Sequence, residues 1–184
     1  SIVLAKLSSI VIFEAFALAC KRTPIPINFV LTVRSAQKKV LRRIDEILKF
    51  HNIENRILWL GYVSDDTIQR YRSEATLSII NRPSNWQNDY NFPTKLGEFL
   101  VNGIPVIASN KGEMSHYLKD GETAFLVEPN NPEQIAEKIL FILEHPDDAN
   151  RIGENGRLLA LSTFDYSLFS DPLYRFFESI SCQK

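Results

Sequence analysis

The stretch Tyr90-Asn91-Phe92-Pro93-Thr94-Lys95-Leu96-Gly97-Glu98-Phe99-Leu100-Val101-Asn102-Gly103-Ile104-Pro105-Val106-Ile107-Ala108 decides how this chain folds. Pro93 stands where the first turn of a helix tolerates a missing amide hydrogen, and Gly103 is a helix stop. Pro105-Val106-Ile107 then opens a buried strand. The spacing predicts a helix over 93–102. Upstream, Leu77–Ile80 reads as a strand, so the segment from Asn81 to Phe92 is a long loop leaving a strand at its carboxyl end. In open parallel sheets such loops form the ligand crevice.

On either side of this stretch, short runs of Val, Ile and Leu alternate with stretches of helical period, the pattern of a parallel sheet covered by helices on both faces. The runs predict six strands: Ile2–Ala5, Ile27–Val33, Arg56–Leu60, Leu77–Ile80, Pro105–Ala108 and Ala124–Val127. Further helices are expected at Ser9–Lys21, Ser35–His51, Ser64–Arg72 and Glu113–Leu118, several opened by a capping Ser. Asn131-Pro132-Glu133-Gln134 combines a cap, a first-turn proline and a Gln at the capping-box position. The helix it starts carries Ile135, Ile139, Ile142 and Leu143 on one face, and Pro146 restarts a second. From Phe164 to Ile180 the chain holds more aromatic surface than one small helix needs.

At 184 residues the chain is expected to form one domain. With 45% apolar and 23% charged residues, disordered and fibrous classes fall away. The formal charge of −1 supplies no field for nucleic acid. The basic cluster Lys38, Lys39, Arg42 and Arg43 is followed at once by Asp45 and Glu46, as on a solvated helix face. Ile10 to Cys20 is interrupted by Glu14 and too short to cross a bilayer. Cys20 and Cys182 make no disulfide framework, and no secretory pattern opens the chain, so a cytoplasmic location is expected.

Several chemistries lack their motifs. No two glycines form the first half of G-x-G-x-x-G, no Gly-Lys pair exists for a P-loop, and G-x-S-x-G is missing. His51, His116 and His145 each lack a second His or Cys at ligand spacing. Glu113 and His116 could share a helix face, but without a third ligand the pair reads as a surface contact. No metal site is expected.

Lys95 and Glu98 lie three apart in the first turn after the long loop. Spacing alone leaves two readings open: a surface ion pair, or a site where a lysine and the helix start hold an anion while the carboxylate accepts from neutral hydroxyls.

Pro93-Thr94-Lys95-x-x-Glu98-Phe99, followed by Gly103-Ile104-Pro105-Val106-Ile107-Ala108, resembles the core of the donor-binding half of retaining GT-B glycosyltransferases, the group often called family four. Glu14-Ala15-Phe16 resembles that family's first helix, Leu60-Gly61-Tyr62-Val63 the turn beside the nucleotide base, and Asp120-Gly121-Glu122-Thr123-Ala124-Phe125-Leu126-Val127 the strand after it. The resemblance implies a Rossmann-like nucleotide-sugar-binding domain over 1–163, one half of a GT-B fold. Residues 164–184 are then a helix crossing back toward an N-terminal acceptor domain that this sequence does not include.

By the same resemblance, Glu98 matches the second glutamate of the E-x7-E motif, which contacts the ribose. The first falls on Tyr90, so the donor-sugar contact is absent or passes to another group such as Asn91. Lys6 stands where the family has Gly-Arg-Leu and matches a residue that pairs with the diphosphate. Arg34, in Thr32-Val33-Arg34, could reach a phosphate or only solvent. Gly61, Tyr62, Pro93, Thr94 and Lys95 complete the donor-binding set. Only Ser8-Ser9 separates the first strand from its helix, where the family has a longer loop with a Lys-Gly pair. No catalytic residue is assigned to this half. The implied partners are a nucleoside diphosphate sugar, bound without a metal or other cofactor, and the acceptor domain. Nucleic acid is not among them, and peripheral membrane association would run through the absent half. Leaving-group charge would then be met by Lys, Arg and helix dipole. A sugar-nucleotide epimerase and a non-catalytic nucleotide-sugar-binding module share these features.

Overall fold

The computed structural model describes residues 1–6, 10–32, 37–83, 85–86, 90 and 94–181. Six strands form one parallel sheet: β1 (Ile2–Lys6), β2 (Asn28–Thr32), β3 (Ile57–Leu60), β4 (Leu77–Ile80), β5 (Val106–Ser109) and β6 (Phe125–Val127), in the order β3-β2-β1-β4-β5-β6. Every strand expected from the sequence is present, with ends displaced by at most one residue. Val3 pairs with Phe29 on one side and Leu77 on the other, so β1 is central.

Alternation along each strand sends side chains to two separate cores. On one face Val3, Ala5, Phe29, Leu31, Leu77, Ile79 and Ile107 meet α1 (Val11–Arg22), α2 (Lys38–His51) and α6 (Pro132–Glu144). Phe16 stacks on Phe29 at 5.0 Å and Phe13 meets the same ring edge-on at 5.5 Å. Such aromatic pairs add directional preference to a large buried area. On the other face Leu4, Val30, Val106 and Ala108 meet Leu96, Phe99 and Leu100 of α4 (Lys95–Leu100) and Met114 of α5 (Glu113–Tyr117). The same layer includes α3 (Asp65–Glu74), while α7 (Pro146–Thr163) contributes Ala160 to it and Ala149 and Ile152 to the first core.

The caps follow sequence chemistry with one difference. Ser64 Oγ accepts from the Thr67 amide at 3.3 Å, and Asn131 Oδ1 from the Gln134 amide at 3.1 Å. Gln134 does not complete a capping box: its Oε1 accepts from the Glu128 amide at 2.8 Å and so ties the end of β6 to α6. The stripe Ile135, Ile139 and Ile142 is buried as expected, with Leu143 half-buried beside it. The helix expected over 93–102 is shorter, since Val101 already serves as the C-cap of α4 and Gly103 turns the chain at φ +71°. Its expected start at Pro93, like the expected helix starts at Ser9 and Ser35, lies outside the described residues.

Two glycines inside α7 set how closely it approaches the sheet. A Cβ on Gly153 would collide with the Gly103 carbonyl oxygen, and one on Gly156 would lie 2.6 Å from the Thr123 carbonyl oxygen. Downstream, Phe164 is half-buried and meets Tyr117 edge-on at 5.2 Å. The helix α8 (Ser167–Ser181) then leaves the domain, with residues 166–180 all exposed. The aromatic tail thus touches this domain through Phe164, and Phe169, Tyr174, Phe176 and Phe177 stand 57–64% exposed. Among the described residues no helix is long and apolar enough to cross a membrane.

Candidate functional site

Strand order reverses between β1 and β4, and in open α/β sheets the crevice at that switch point is where ligands sit. The segments leaving β1 and β4 therefore frame the site. Ser109 Oγ, at the end of β5, donates to Asn81 Oδ1 at 2.8 Å and accepts from the Arg82 amide at 2.8 Å. These bonds fix the first residues of the loop that runs from β4 to α4.

That loop delivers Lys95 and Glu98 side by side. Lys95 Nζ lies 2.6 Å from Glu98 Oε1 and 2.8 Å from Oε2. A third group joins them: Arg72, from α3, donates through Nη2 to Glu98 Oε2. The Arg72 side chain is only 12% exposed, against 43% for Lys95 and 36% for Glu98. Its Nε is buried with no acceptor among the described residues. Burial would raise the Glu98 pKa, but the Lys95 hydrogen bond and the Arg72 and Lys95 charges outweigh it and hold the carboxyl below its ordinary range. The carboxylate is thus ionised, open to solvent on one side and held on the other. Asn102 Nδ2 donates to the Glu98 carbonyl at 2.5 Å, which closes the short helix beneath it.

A groove of about 520 Å³ runs past the same carboxylate, between Thr94, Glu98 and Val101 of the α4 segment and Leu161, Phe164 and Asp165 after the sheet's last crossover. Across the sheet edge, Gly61 follows β3. A Cβ there would meet nothing within 4 Å among the described residues, and the residue does not have a positive φ. Neither packing against the described residues nor backbone geometry calls for glycine. Tyr62 and Tyr90 are each 85% exposed.

Of the sequence-derived site residues, the structure brings Lys95 and Glu98 into contact, and Thr94 stands exposed at the start of the same helix. Gly61, Tyr62 and Tyr90 sit on loops after the carboxyl ends of β3 and β4. Lys6 closes β1 at the switch point; its side chain, together with Arg34, Asn91 and Pro93, lies outside the described residues. Arg72, Asn81 and Ser109 are additions that sequence reasoning missed. Arg72 meets Glu98 across 26 residues of chain, so no local spacing signals it. Among the described residues no group of three His, Cys, Asp or Glu could hold a metal ion.

The glycosyl transferases group 1 family matches residues 10–159 of this sequence. The chain belongs to that family. The group 1 chain is 27% identical over 121 residues to 2-deoxystreptamine N-acetyl-D-glucosaminyltransferase of Niallia circulans, an alignment covering 66% of this chain and 30% of that enzyme. Its fold superposes with a TM-score of 0.81 on Anabaena Alr3699/HepE, solved in complex with UDP-glucose, at 17% identity over 97% of this chain and 48% of that one. It also superposes with a TM-score of 0.75 on the C-terminal domain of a group 1 protein, LpcC of Francisella tularensis, at 19% identity over 89% of this chain and 85% of that domain. The group 1 fold here is therefore one Rossmann-like half of a GT-B architecture, and the chain spans about half or less of the full-length proteins it matches.

Proposed function

We propose that this chain is the donor-binding half of a glycosyltransferase that moves a sugar from a nucleoside diphosphate sugar to an acceptor with retention of configuration, without a bound metal. The observation that carries the reading is the Glu98 carboxylate at the switch-point loop, flanked by Lys95 and Arg72. An ionised carboxylate that accepts but cannot donate is suited to the vicinal hydroxyls of a ribose. Two cations around one carboxylate leave a positive excess for a diphosphate. Gly61 leaves room for a base beside the end of β3, with Tyr62 and Tyr90 on the same edge; Lys6, Arg34, Asn91, Pro93 and Thr94 belong to the same proposed donor site. HepE, which shares this fold, was solved in complex with UDP-glucose, and that supports a nucleotide sugar as the ligand class.

In the reaction, the group leaving the sugar carries the diphosphate charge, and preorganised cations stabilise charge as it develops. Residues 1–163 would hold the donor and 164–184 would reach an acceptor half. Without that half the chain binds nucleotide and transfers no sugar, because transfer requires the acceptor held against the donor. Such a donor domain suits the cytoplasm, where nucleotide sugars are the substrate class. Tyr90, in place of the family's first glutamate, favours a second reading as a nucleotide-sugar-binding module without transfer activity. Calorimetric titration with UDP, GDP, ADP and dTDP tests the shared part: binding of at least one is expected, and binding of none overturns it. Sugar transfer by this chain alone would overturn the two-half requirement.

A further inference from the structure

We propose that Arg72 is the positioning residue of the Glu98 carboxylate and that Lys95 is the group a nucleotide displaces from it; this rests on reading Glu98 as the ribose acceptor. A carboxylate offers about four lone-pair directions to donors. Lys95 takes one on each oxygen and Arg72 takes another on Oε2. Two ribose hydroxyls do not fit beside all three contacts. One cation must leave.

The surroundings decide which. Lys95 is 43% exposed on a flexible stem and sits one helical turn from its partner. Releasing it returns a well-hydrated ammonium to water at little cost. Arg72 is 12% exposed, belongs to a different helix and already holds a buried Nε without an acceptor among the described residues. Pulling it from Glu98 would strand a desolvated charge. The resting site therefore holds Lys95 where the ribose hydroxyls will sit. On binding, the hydroxyls replace the ammonium, the ammonium turns to the diphosphate, and Arg72 keeps the carboxylate ionised and aimed.

The test compares wild type, R72M, R72Q and K95M, each titrated with whichever of UDP, GDP, ADP and dTDP binds tightest and with its 2′,3′-dideoxy counterpart. Wild type should prefer the ribose form by about tenfold or more, as for hydrogen bonds to a charged group. R72M and R72Q should bring that ratio to within about threefold while keeping the preference for diphosphate over nucleoside, since Lys95 is intact. K95M should do the reverse, retaining the ribose preference and losing the diphosphate preference. An R72M or R72Q ratio equal to wild type, with affinity for both ligands lowered together, would make Arg72 a packing residue and overturn the proposal. If R72M does not fold, R72Q decides alone. A wild type that does not discriminate against the dideoxy form would instead overturn the ribose reading of Glu98, and the proposal with it.

Discussion

Gly153 stands so close to the carbonyl oxygen of Gly103 that no side-chain carbon fits between α7 and the turn leading into β5. The neighbouring backbone at Ile104 and Pro105 is 2.8–2.9 Å from the same position, so relief would require moving main chain rather than a flexible side chain. G153A should destabilise the fold by about 1–3 kcal/mol, the usual cost of overpacking, despite alanine's better helix propensity. Urea denaturation checks this through a lower midpoint at unchanged slope. A midpoint equal to or above wild type would mean the contact relaxes freely.

Gly61 leads to the opposite expectation. With open space where a methyl group would stand and no positive φ, G61A should leave stability unchanged or raise it by about 0.4–1 kcal/mol through the unfolded state. If the base lies against this turn, the same methyl should weaken nucleotide binding several-fold. Thermal melts and titrations on one preparation separate the two effects, and unchanged affinity would remove Gly61 from the site.

The Glu98 carboxylate is predicted to matter for binding more than for folding. E98Q should weaken nucleotide affinity by about 1.5–3 kcal/mol, the range for hydrogen bonds to a charged acceptor. K95M should weaken diphosphate binding more than nucleoside binding, with a loss that shrinks as salt screens an exposed charge. Calorimetry with nucleoside and nucleoside diphosphate reads both, and affinities untouched in both variants would reduce the pair to a surface contact.

A pH dependence follows from the same carboxyl. Its folded pKa lies below the unfolded one, so its contribution to stability is present above the ordinary glutamate range and is lost as pH falls through the folded value. Wild type and E98Q should therefore differ at neutral pH and converge under acid conditions. Denaturation midpoints measured from pH 7 to about pH 3 should show that narrowing, below the ordinary glutamate value of about 4.3. A constant gap would assign the difference to something other than this ionisation.

The exposed helix α8 makes a last prediction. Its side chains stand away from both cores, so removing residues 167–184 should leave the melting temperature nearly unchanged. Large exposed apolar patches drive association, and Phe169, Tyr174, Phe176 and Phe177 are all exposed on this one helix. Sedimentation should show self-association in the whole chain and less of it after truncation; a monomeric whole chain would count against the patch.

The strands were legible because a buried parallel sheet imposes continuous Val/Ile/Leu runs, and the caps at Ser64 and Asn131 because their chemistry is local. Helical spacing marks Lys95 and Glu98 as neighbours, and only the family resemblance reads the pair as a donor site rather than a surface contact. Arg72 was not, because its contact is set by how α3 and α4 stack on the sheet, and Tyr71-Arg72-Ser73 carries no local mark of it. The early stop of α4 was likewise hidden, because it depends on Asn102 bonding back to Glu98. The exposed aromatics of α8 were legible as a surplus of aromatic surface over what one small helix needs.

The central place of β1 has a kinetic consequence. Within this domain β1 must wait for its second neighbour, since the Ile2 amide bonds to Thr76 Oγ1 across 74 residues. Closing so long a loop costs entropy before any pairing repays it. Until β4 is in place, β1 has a partner strand on the β2 side only, and its other apolar edge stays open. Folding of the sheet is thereby tied to arrival of the strand that also leads to the Lys95–Glu98 pair, so that pair and the middle of the sheet come into being together.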